Sequence, residues 1–270
     1  MSDYDKKKIL ILVEGEKTDV ALMQKLLSIY DISSKYEIVS YGTNIYVLYQ
    51  EMFRDGVDGF ENIDLLQVLK SREKDPLRKK IFDDKYTDIL LIFDLDPQDP
   101  QFDAKHIQLM QDFFVESSDM GKLYLNYPMV EAFYHLSAIP DKDFLERKAY
   151  TIELREKAYK ARVQKESKGN DYRKFAINKE QCSTVILQHL AKALFIVTEK
   201  VVNWEIVLQA LRSVELGIIL DRQLYFLKNE GFVYVLSTCI FYIIDYNPRL
   251  LYSPINNENE AIHNTEQESL

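Results

Sequence analysis

Ile9-Leu-Ile-Leu-Val-Glu-Gly-Glu-Lys-Thr-Asp19 and Asp88-Ile-Leu-Leu-Ile-Phe-Asp-Leu-Asp96 are two apolar runs that end abruptly in carboxylates. A short, continuous aliphatic run between charged residues is typical of a strand buried in a parallel sheet. Parallel strands present their carboxyl ends at one edge of the sheet. If these strands are neighbours, the acids that follow them, Glu14, Asp94 and Asp96, converge on one point.

The pattern around these runs predicts an α/β domain over residues 1–140. Further strands are expected at 36–40 and 122–126, with helices at 18–29, 45–54, 104–115 and about 128–136. This alternation predicts a mostly parallel, four-stranded, Rossmann-like sheet with helices on both faces. A polar insertion is expected at about 55–86, with one helix at 63–72.

The pattern changes after residue 140. Residues 141–253 are predicted to be mainly helical, with helices at 143–166, 179–200, 204–213 and 220–229. The apolar stretch 232–244 fits either a helix or a strand, and periodicity alone does not decide between them. Residues 254–270 are rich in Asn and Glu and are predicted to be a disordered tail.

Composition favours a soluble, cytoplasmic protein. The chain has 270 residues, 47% of them hydrophobic, and only two cysteines, which is too few for a disulfide framework. Its first residues lack the apolar segment of a secretory signal. The longest nearly apolar stretch, 232–244, falls short of the roughly 20 residues that span a bilayer. We therefore expect no membrane partner.

Charge is distributed unevenly along the chain. Residues 147–179 hold eleven basic and four acidic residues, a net +7, which leaves −16 for the rest of a chain whose total is −9. The total argues against indiscriminate nucleic-acid binding, because phosphate contacts need Lys and Arg. The basic segment indicates either a local phosphate-binding surface or a solvated, charge-rich helix.

The Asp94-x-Asp96 pair indicates metal chemistry. On an extended strand, residues two apart face the same way, so both carboxylates would lie on one side. Like charges held this close repel each other, and a divalent cation between them removes the repulsion. Ligands that are all oxygen favour Mg²⁺ or Mn²⁺ over zinc. The alternative is that these aspartates cap turns after the strand.

Glu-Gly after the first strand and Asp-x-Asp after a later one resemble the TOPRIM domain of topoisomerases, primases and certain nucleases. Val13-Glu-Gly-Glu-Lys-Thr-Asp19 is most similar to the TOPRIM nucleases of bacterial anti-phage systems, of the OLD, RloB and abortive-infection type. The resemblance covers about residues 9–136. It implies that Glu14 is a metal ligand or general base and that Asp94 and Asp96 bind metal. Asp19, where many such nucleases have Glu, would hold a second metal.

Two further residues gain expected roles from this resemblance. Asn126-Tyr-Pro-Met-Val-Glu131 is similar to the Asn-Pro…Glu segment of RloB-type proteins, although the spacing differs by one residue. Glu131 is therefore a candidate metal ligand, or else an ordinary first-turn helix acid. Lys17 would neutralise transition-state charge, or else it is a solvent-facing residue of the helix-entry loop.

The resemblance implies a Mg²⁺- or Mn²⁺-dependent endonuclease that cleaves DNA, tRNA or another RNA. Such nucleases act as toxic effectors of anti-phage defence, often under the control of a separate ATPase of the ABC or SMC type. The sequence has no phosphate-cradling P-loop, which fits an ATPase on another chain. A homo-oligomer is also compatible with the sequence.

Other readings of the same residues stay open. A haloacid-dehalogenase-like phosphatase also uses Asp-x-Asp after an aliphatic strand, but its nucleophilic aspartate normally lies near the first strand. A metal-dependent glycosyltransferase is a further option without a supporting nucleotide-sugar motif. A non-catalytic subunit that binds and restrains an ATPase or nucleic acid is the alternative outside enzymes. Asp99 and Asp103 lie in the loop after the strand that ends at Asp94, where they would bind metal through water or, as is favoured, form turns. A catalytic role for His106 is not favoured, because this chemistry does not require histidine.

Overall fold

A computed structural model describes residues 8–32, 35–53, 64–118, 120–202, 204–209 and 214–251. Within these ranges the chain is an α/β protein with a mostly parallel, mixed sheet and a largely helical C-terminal part. The predicted tail at 254–270 and residues 55–63 of the predicted insertion lie outside the described residues.

The elements are numbered in chain order. The strands are β1 (Lys8–Val13), β2 (Lys35–Ser40), β3 (Asp88–Asp94), β4 (Val115–Glu116), β5 (Gly121–Tyr127), β6 (Lys148–Tyr150), β7 (Phe232–Tyr234) and β8 (Leu236–Ser237). The helices are α1 (Thr18–Ile29), α2 (Ile45–Met52), α3 (Leu65–Arg72), α4 (Pro76–Lys79), α5 (Ala104–Phe113), α6 (Thr151–Arg155), α7 (Tyr159–Glu166), α8 (Lys179–Thr198), α9 (Trp204–Gln209), α10 (Leu216–Glu230) and α11 (Tyr242–Tyr246).

The two apolar runs that end in acids are neighbouring parallel strands, which is the condition for their acids to converge. The parallel part of the sheet has the order β2-β1-β3-β5, and Val13 of β1 lies opposite Ile92 of β3. Residues 9–13 are all fully buried. Because successive side chains of a strand point to opposite faces, both faces of the sheet are covered at β1.

The sheet also contains antiparallel strands that the sequence does not predict. β4 pairs with the start of β5, and β8 pairs with its end, where Ser237 lies opposite Asn126. Both added strands are only two residues long, too short to show a period of their own. Val115 was expected to end helix α5, but that helix stops at Phe113 and the chain turns into β4.

The predicted long helix at 143–166 is wrong. This segment forms a 3-10 turn at Phe144–Glu146, then β6, α6 and α7. Its composition suits a helix, but β6 pairs antiparallel with β7, more than 80 residues further along the chain. Lys157, with a φ of 57°, then separates α6 from α7.

The remaining C-terminal elements follow the predicted pattern more closely. α8 and α10 are confirmed, and Gly231 ends α10 with a φ of 74° that a residue with a Cβ rarely adopts. The ambiguous stretch 232–244 is β7, β8, a 3-10 turn and the start of α11. Among the described residues, no helix has both the length and the apolar character needed to cross a membrane.

Candidate metal centre

Glu14, Asp94 and Asp96 lie together at the carboxyl edge of the sheet. Each offers an oxygen within 4.8 Å of the others, and these three form the one such group of potential ligands found among the described residues. The backbone N–H of Glu14 continues the ladder by donating to Ile92 O at 3.1 Å. The backbone N–H of Asp94 donates to Glu14 Oε2 at 3.1 Å, so the ends of β1 and β3 are joined.

The position of this cluster follows from the topology. The chain leaves β1 toward β2 on one side, whereas β3 lies on the other side of β1. In an open α/β sheet, the crevice at such a reversal is where ligands bind, beyond the carboxyl ends of the strands. The fold therefore places the acids at the point best suited to a ligand.

Asp96 reaches the cluster by a turn rather than by strand alternation, which differs from the prediction. β3 ends at Asp94, and Asp96 has a φ of 39°, a conformation that Asp tolerates better than most residues. Its backbone N–H donates to Pro128 O at 3.0 Å, which ties the turn to the end of β5. Gln98 Nε2 donates to Asp96 Oδ1 at 2.8 Å and fixes the carboxyl group.

Burial makes the charged form of this cluster costly. Asp94 is only 8% exposed, and burial, together with the Glu14 carboxylate, raises its pKa well above the usual range. Burial also raises the pKa of Glu14 to about 8, with Asp96, Asp19 and Asp99 adding to the effect. A divalent cation would reverse these shifts, because it stabilises the ionised carboxylates.

Asp19 lies beside the cluster, beneath the turn that follows β1. It is 5% exposed, and its Oδ1 has no hydrogen-bond partner in the described part of the chain. Burial raises its pKa to about 6, and Glu131 adds to the shift. A Cβ on Gly15 would lie 2.5 Å from Asp19 Oδ2, so glycine is what allows this close approach. The unpartnered buried oxygen fits a further cation ligand.

Glu131 also faces this region, although its predicted helix is a 3-10 turn, Val130–Tyr134. Its Oε1 lies 3.2 Å from Lys160 Nζ, while its buried Oε2 has no hydrogen-bond partner among the described residues. Sequence reasoning did not single out Lys160, because it was one of eleven basic residues in the segment 147–179. Burial alone would lower the pKa of Lys160. The nearby carboxylates of Glu131, Asp94 and Asp96 have the larger effect, so the pKa is raised.

One cleft of about 420 Å³ contains all of these groups. Its walls include every predicted site residue and Lys160; the predicted residues are Glu14, Lys17, Asp19, Asp94, Asp96 and Glu131. Lys17 is exposed and precedes the first residue of α1. A second cleft of about 460 Å³ shares Thr18, Glu131 and Lys160 with the first. Lys168 and Arg173, from the basic segment, line this second cleft.

Other polar residues near the site have structural roles. Asp103 caps α5 by accepting from Lys105 N at 2.8 Å, and Asp99 accepts from Asn44 Nδ2 at 2.8 Å. His106 stacks on Tyr49 with 4.0 Å between ring centroids. The contacts of the two aspartates agree with the turn-forming roles that the sequence favoured for them.

The chain matches no protein-family model, and no curated protein or solved structure is significantly similar to it. The resemblance to TOPRIM nucleases therefore depends on the motif residues and their arrangement. The activity that it implies is a proposal.

Proposed function

We propose that this protein is a divalent-cation-dependent nuclease that hydrolyses phosphodiester bonds at the cleft of Glu14, Asp94 and Asp96. The observation that carries the proposal is the convergence of these three carboxylates, one buried and two partly buried, beside a second cleft whose lining includes Lys160, Lys168 and Arg173. Two adjoining clefts of this kind suit a nucleic-acid substrate, since one cleft would bind the cation and the other would bind the sugar-phosphate backbone.

The ligand set fits Mg²⁺ or Mn²⁺. All candidate ligands are carboxylate oxygens, which hard cations prefer. Glu14, Asp94 and Asp96 would hold the first ion. Asp19 and Glu131, each with a buried oxygen that lacks a partner among the described residues, would contribute to a second ion.

A bound cation would supply an activated water and neutralise charge on the phosphate. The protein's own groups contribute the rest. Glu14 Oε2 is held by the Asp94 backbone, which leaves its other oxygen to bind a cation or to accept a proton. The Lys160 ammonium lies at the same cleft and would stabilise negative charge that develops on the phosphate.

The second cleft, which has three cations against the two acids Glu131 and Asp171, favours nucleic acid over a small phosphate ester. Lys160, Lys168 and Arg173 belong to the segment that carries +7 in a chain of net −9. A strand of nucleic acid would lie along this second cleft and reach the acids through the shared wall at Thr18 and Glu131. DNA and RNA, including tRNA, both have the phosphates that this arrangement recognises.

The resemblance to anti-phage nucleases supports a cellular role as well. We propose a cytoplasmic toxic effector of a bacterial defence system, controlled by a separate ABC- or SMC-type ATPase, and able to act as a homo-oligomer. The missing P-loop in the sequence supports the separate ATPase.

Purified protein incubated with plasmid DNA or tRNA tests the activity. We expect cleavage with Mg²⁺ or Mn²⁺, no cleavage with EDTA, and a loss of at least about 10²-fold in Glu14→Gln and Asp94→Asn. Asp103→Asn is the matched control, because it makes the same acid-to-amide change outside the cluster and Asn also caps helices well.

Three outcomes would contradict the proposal. Cleavage that persists in Glu14→Gln and Asp94→Asn would place the activity elsewhere or in a contaminant. Release of phosphate from a phosphomonoester without nucleic-acid cleavage would indicate a phosphatase. Stable binding to an ATPase with no cleavage of either substrate, alone or in the complex, would indicate a non-catalytic subunit.

A further inference from the structure

Buried polar side chains connect the C-terminal part of the chain to Asp94. Asn126, on β5, and Ser237, on β8, are both fully buried and lie opposite each other in the antiparallel ladder. Ser237 Oγ donates to Asn126 Oδ1 at 2.7 Å, and Asn126 Nδ2 donates to Asp94 Oδ1 at 3.0 Å. Buried polar groups are costly unless they are hydrogen-bonded, and these bonds give Asn126 and Ser237 partners inside the protein.

The direction of these bonds is set by their chemistry. A carboxylate that binds a cation is ionised and only accepts hydrogen bonds, so in the cation-bound protein Asn126 must turn its Nδ2 toward Asp94 and its Oδ1 toward Ser237. The Ser237 hydroxyl must then donate to that oxygen. The thiol of Cys239, 3.1 Å from Ser237 Oγ, is left to act as the donor to the hydroxyl. Every donor in the series therefore points toward Asp94.

The series ends on the candidate cation ligands. Asn126 occupies Asp94 Oδ1, and the Asp94 backbone N–H holds Glu14 Oε2. If the amide of Asn126 reversed, its oxygen would face the Asp94 carboxylate and repel it. Ser237 prevents this reversal because it offers a donor to the amide oxygen. Its own backbone N–H donates to His189 Nδ1 at 3.1 Å, which fixes Ser237 in turn.

We infer that Asn126 and Ser237 are positioning residues that hold the Asp94 carboxylate in the orientation needed to bind a divalent cation. This inference rests on the proposed function, since it assumes a cation at Glu14, Asp94 and Asp96. The site is then incomplete without β8, a strand that lies more than 100 residues beyond the sequence motifs that carry the acids. Hydrogen-bonded neighbours that orient metal ligands typically change cation affinity by about 10- to 100-fold when removed.

Cation binding by Ser237→Ala and Thr238→Val tests this inference. Thr238, the residue that follows β8, is the control, because its buried hydroxyl bonds to the backbone of Leu125 at 2.9 Å rather than to Asn126. Mn²⁺ affinity is measured by electron paramagnetic resonance, and the folded fraction by circular dichroism. We expect affinity about 10-fold weaker in Ser237→Ala and unchanged in Thr238→Val.

A conservative variant extends the test if Ser237→Ala folds poorly. Ser237→Cys is somewhat larger but leaves a weak donor, so we expect an affinity between those of wild type and Ser237→Ala. Equal affinities in wild type, Ser237→Ala and Ser237→Cys would overturn the positioning role while leaving the metal site intact. No Mn²⁺ binding by the wild type itself would overturn the proposed function, and the positioning role with it.

Discussion

At the scale of single residues, Glu14 shows how burial sets the chemistry of the site. Burial raises its pKa from an ordinary 4.5 to about 8, because the carboxylate is away from water and close to other acids. Asp19 is affected in the same direction, from 3.8 to about 6. Near neutral pH, both groups therefore hold protons more tightly in the folded protein than in the unfolded chain.

This difference predicts how the stability of the cation-free protein depends on pH. Between pH 4.5 and 8 the folded state keeps a proton on Glu14 that the unfolded state has lost. The free energy of unfolding should therefore fall as pH rises, by up to about 1.4 kcal/mol per pH unit for one proton. Urea unfolding in EDTA at pH 5, 6, 7 and 8 measures this slope.

Variants separate the contribution of Glu14 from those of other acids. Glu14→Gln should reduce the slope by the share of one proton and leave the part due to Asp94 and Asp19, whereas Asp103→Asn should keep the whole slope, because backbone hydrogen bonds lower the pKa of Asp103 away from this range. Mg²⁺ should stabilise the wild type more at pH 8 than at pH 6, since it competes with protons for the same oxygens. A wild-type slope in Glu14→Gln would show that Glu14 is not the titrating group.

At the scale of elements, the turn between β1 and α1 brings two acids to one place. Glu14 directly follows the strand, and Asp19 lies in the first turn of the helix. The chain between them must fold tightly enough to bring the Asp19 carboxyl next to Gly15. The turn therefore depends on the missing side chain of Gly15 rather than on a positive φ.

A methyl group at this position should displace Asp19. In Gly15→Ala the new Cβ would lie 2.5 Å from Asp19 Oδ2, so the carboxyl group has to move. We expect a loss of about 1–3 kcal/mol in unfolding free energy and reduced nuclease activity. Urea denaturation of Gly15→Ala, Asp19→Ala and the double variant measures the coupling between the two positions.

The double variant identifies the cause of the loss. If the clash with Asp19 destabilises Gly15→Ala, then Gly15→Ala should cost less in the Asp19→Ala background than in the wild type. Equal costs in both backgrounds would show that the alanine disturbs the turn in another way.

At the scale of the whole molecule, the C-terminal part completes a site that the N-terminal strands begin. α7 brings Lys160 to the cleft, and β8 brings Ser237 to Asn126. Lys160 is a cation near a cluster of acids, and its exposed position lets it also contact a bound phosphate. The two parts of the chain therefore contribute side chains to one cleft.

Loss of this cation should reduce turnover more than stability. Lys160→Gln keeps a similar length but removes the charge, so we expect kcat about 10²-fold lower and unfolding free energy within about 0.5 kcal/mol of wild type. Lys165→Gln, an exposed position of the same helix, is the control and should keep wild-type kcat. Equal kcat in wild type and Lys160→Gln would exclude a role for Lys160 in transition-state stabilisation.

The predicted helix at 143–166 was wrong because of contacts that form only in the whole molecule. The segment 143–166 has a helical composition, yet β6 forms there because β7 pairs with it from far along the chain. Local propensity is weak compared with tertiary pairing. The same limit explains why Lys160 could not be chosen from the basic segment before the packing of α7 against the 3-10 turn at 130–134 was known.

The sequence by itself determined the buried parallel strands and the acids that follow them. Continuous apolar runs ending in charged residues are local patterns, so they indicate a buried strand without knowledge of the rest of the fold. The tertiary structure alone decided that β1 lies next to β3, that Asp96 turns back on a positive φ, and that Ser237 orients Asn126. These features join residues far apart in the chain, so their energies depend on packing and hydrogen-bond geometry rather than on neighbouring sequence.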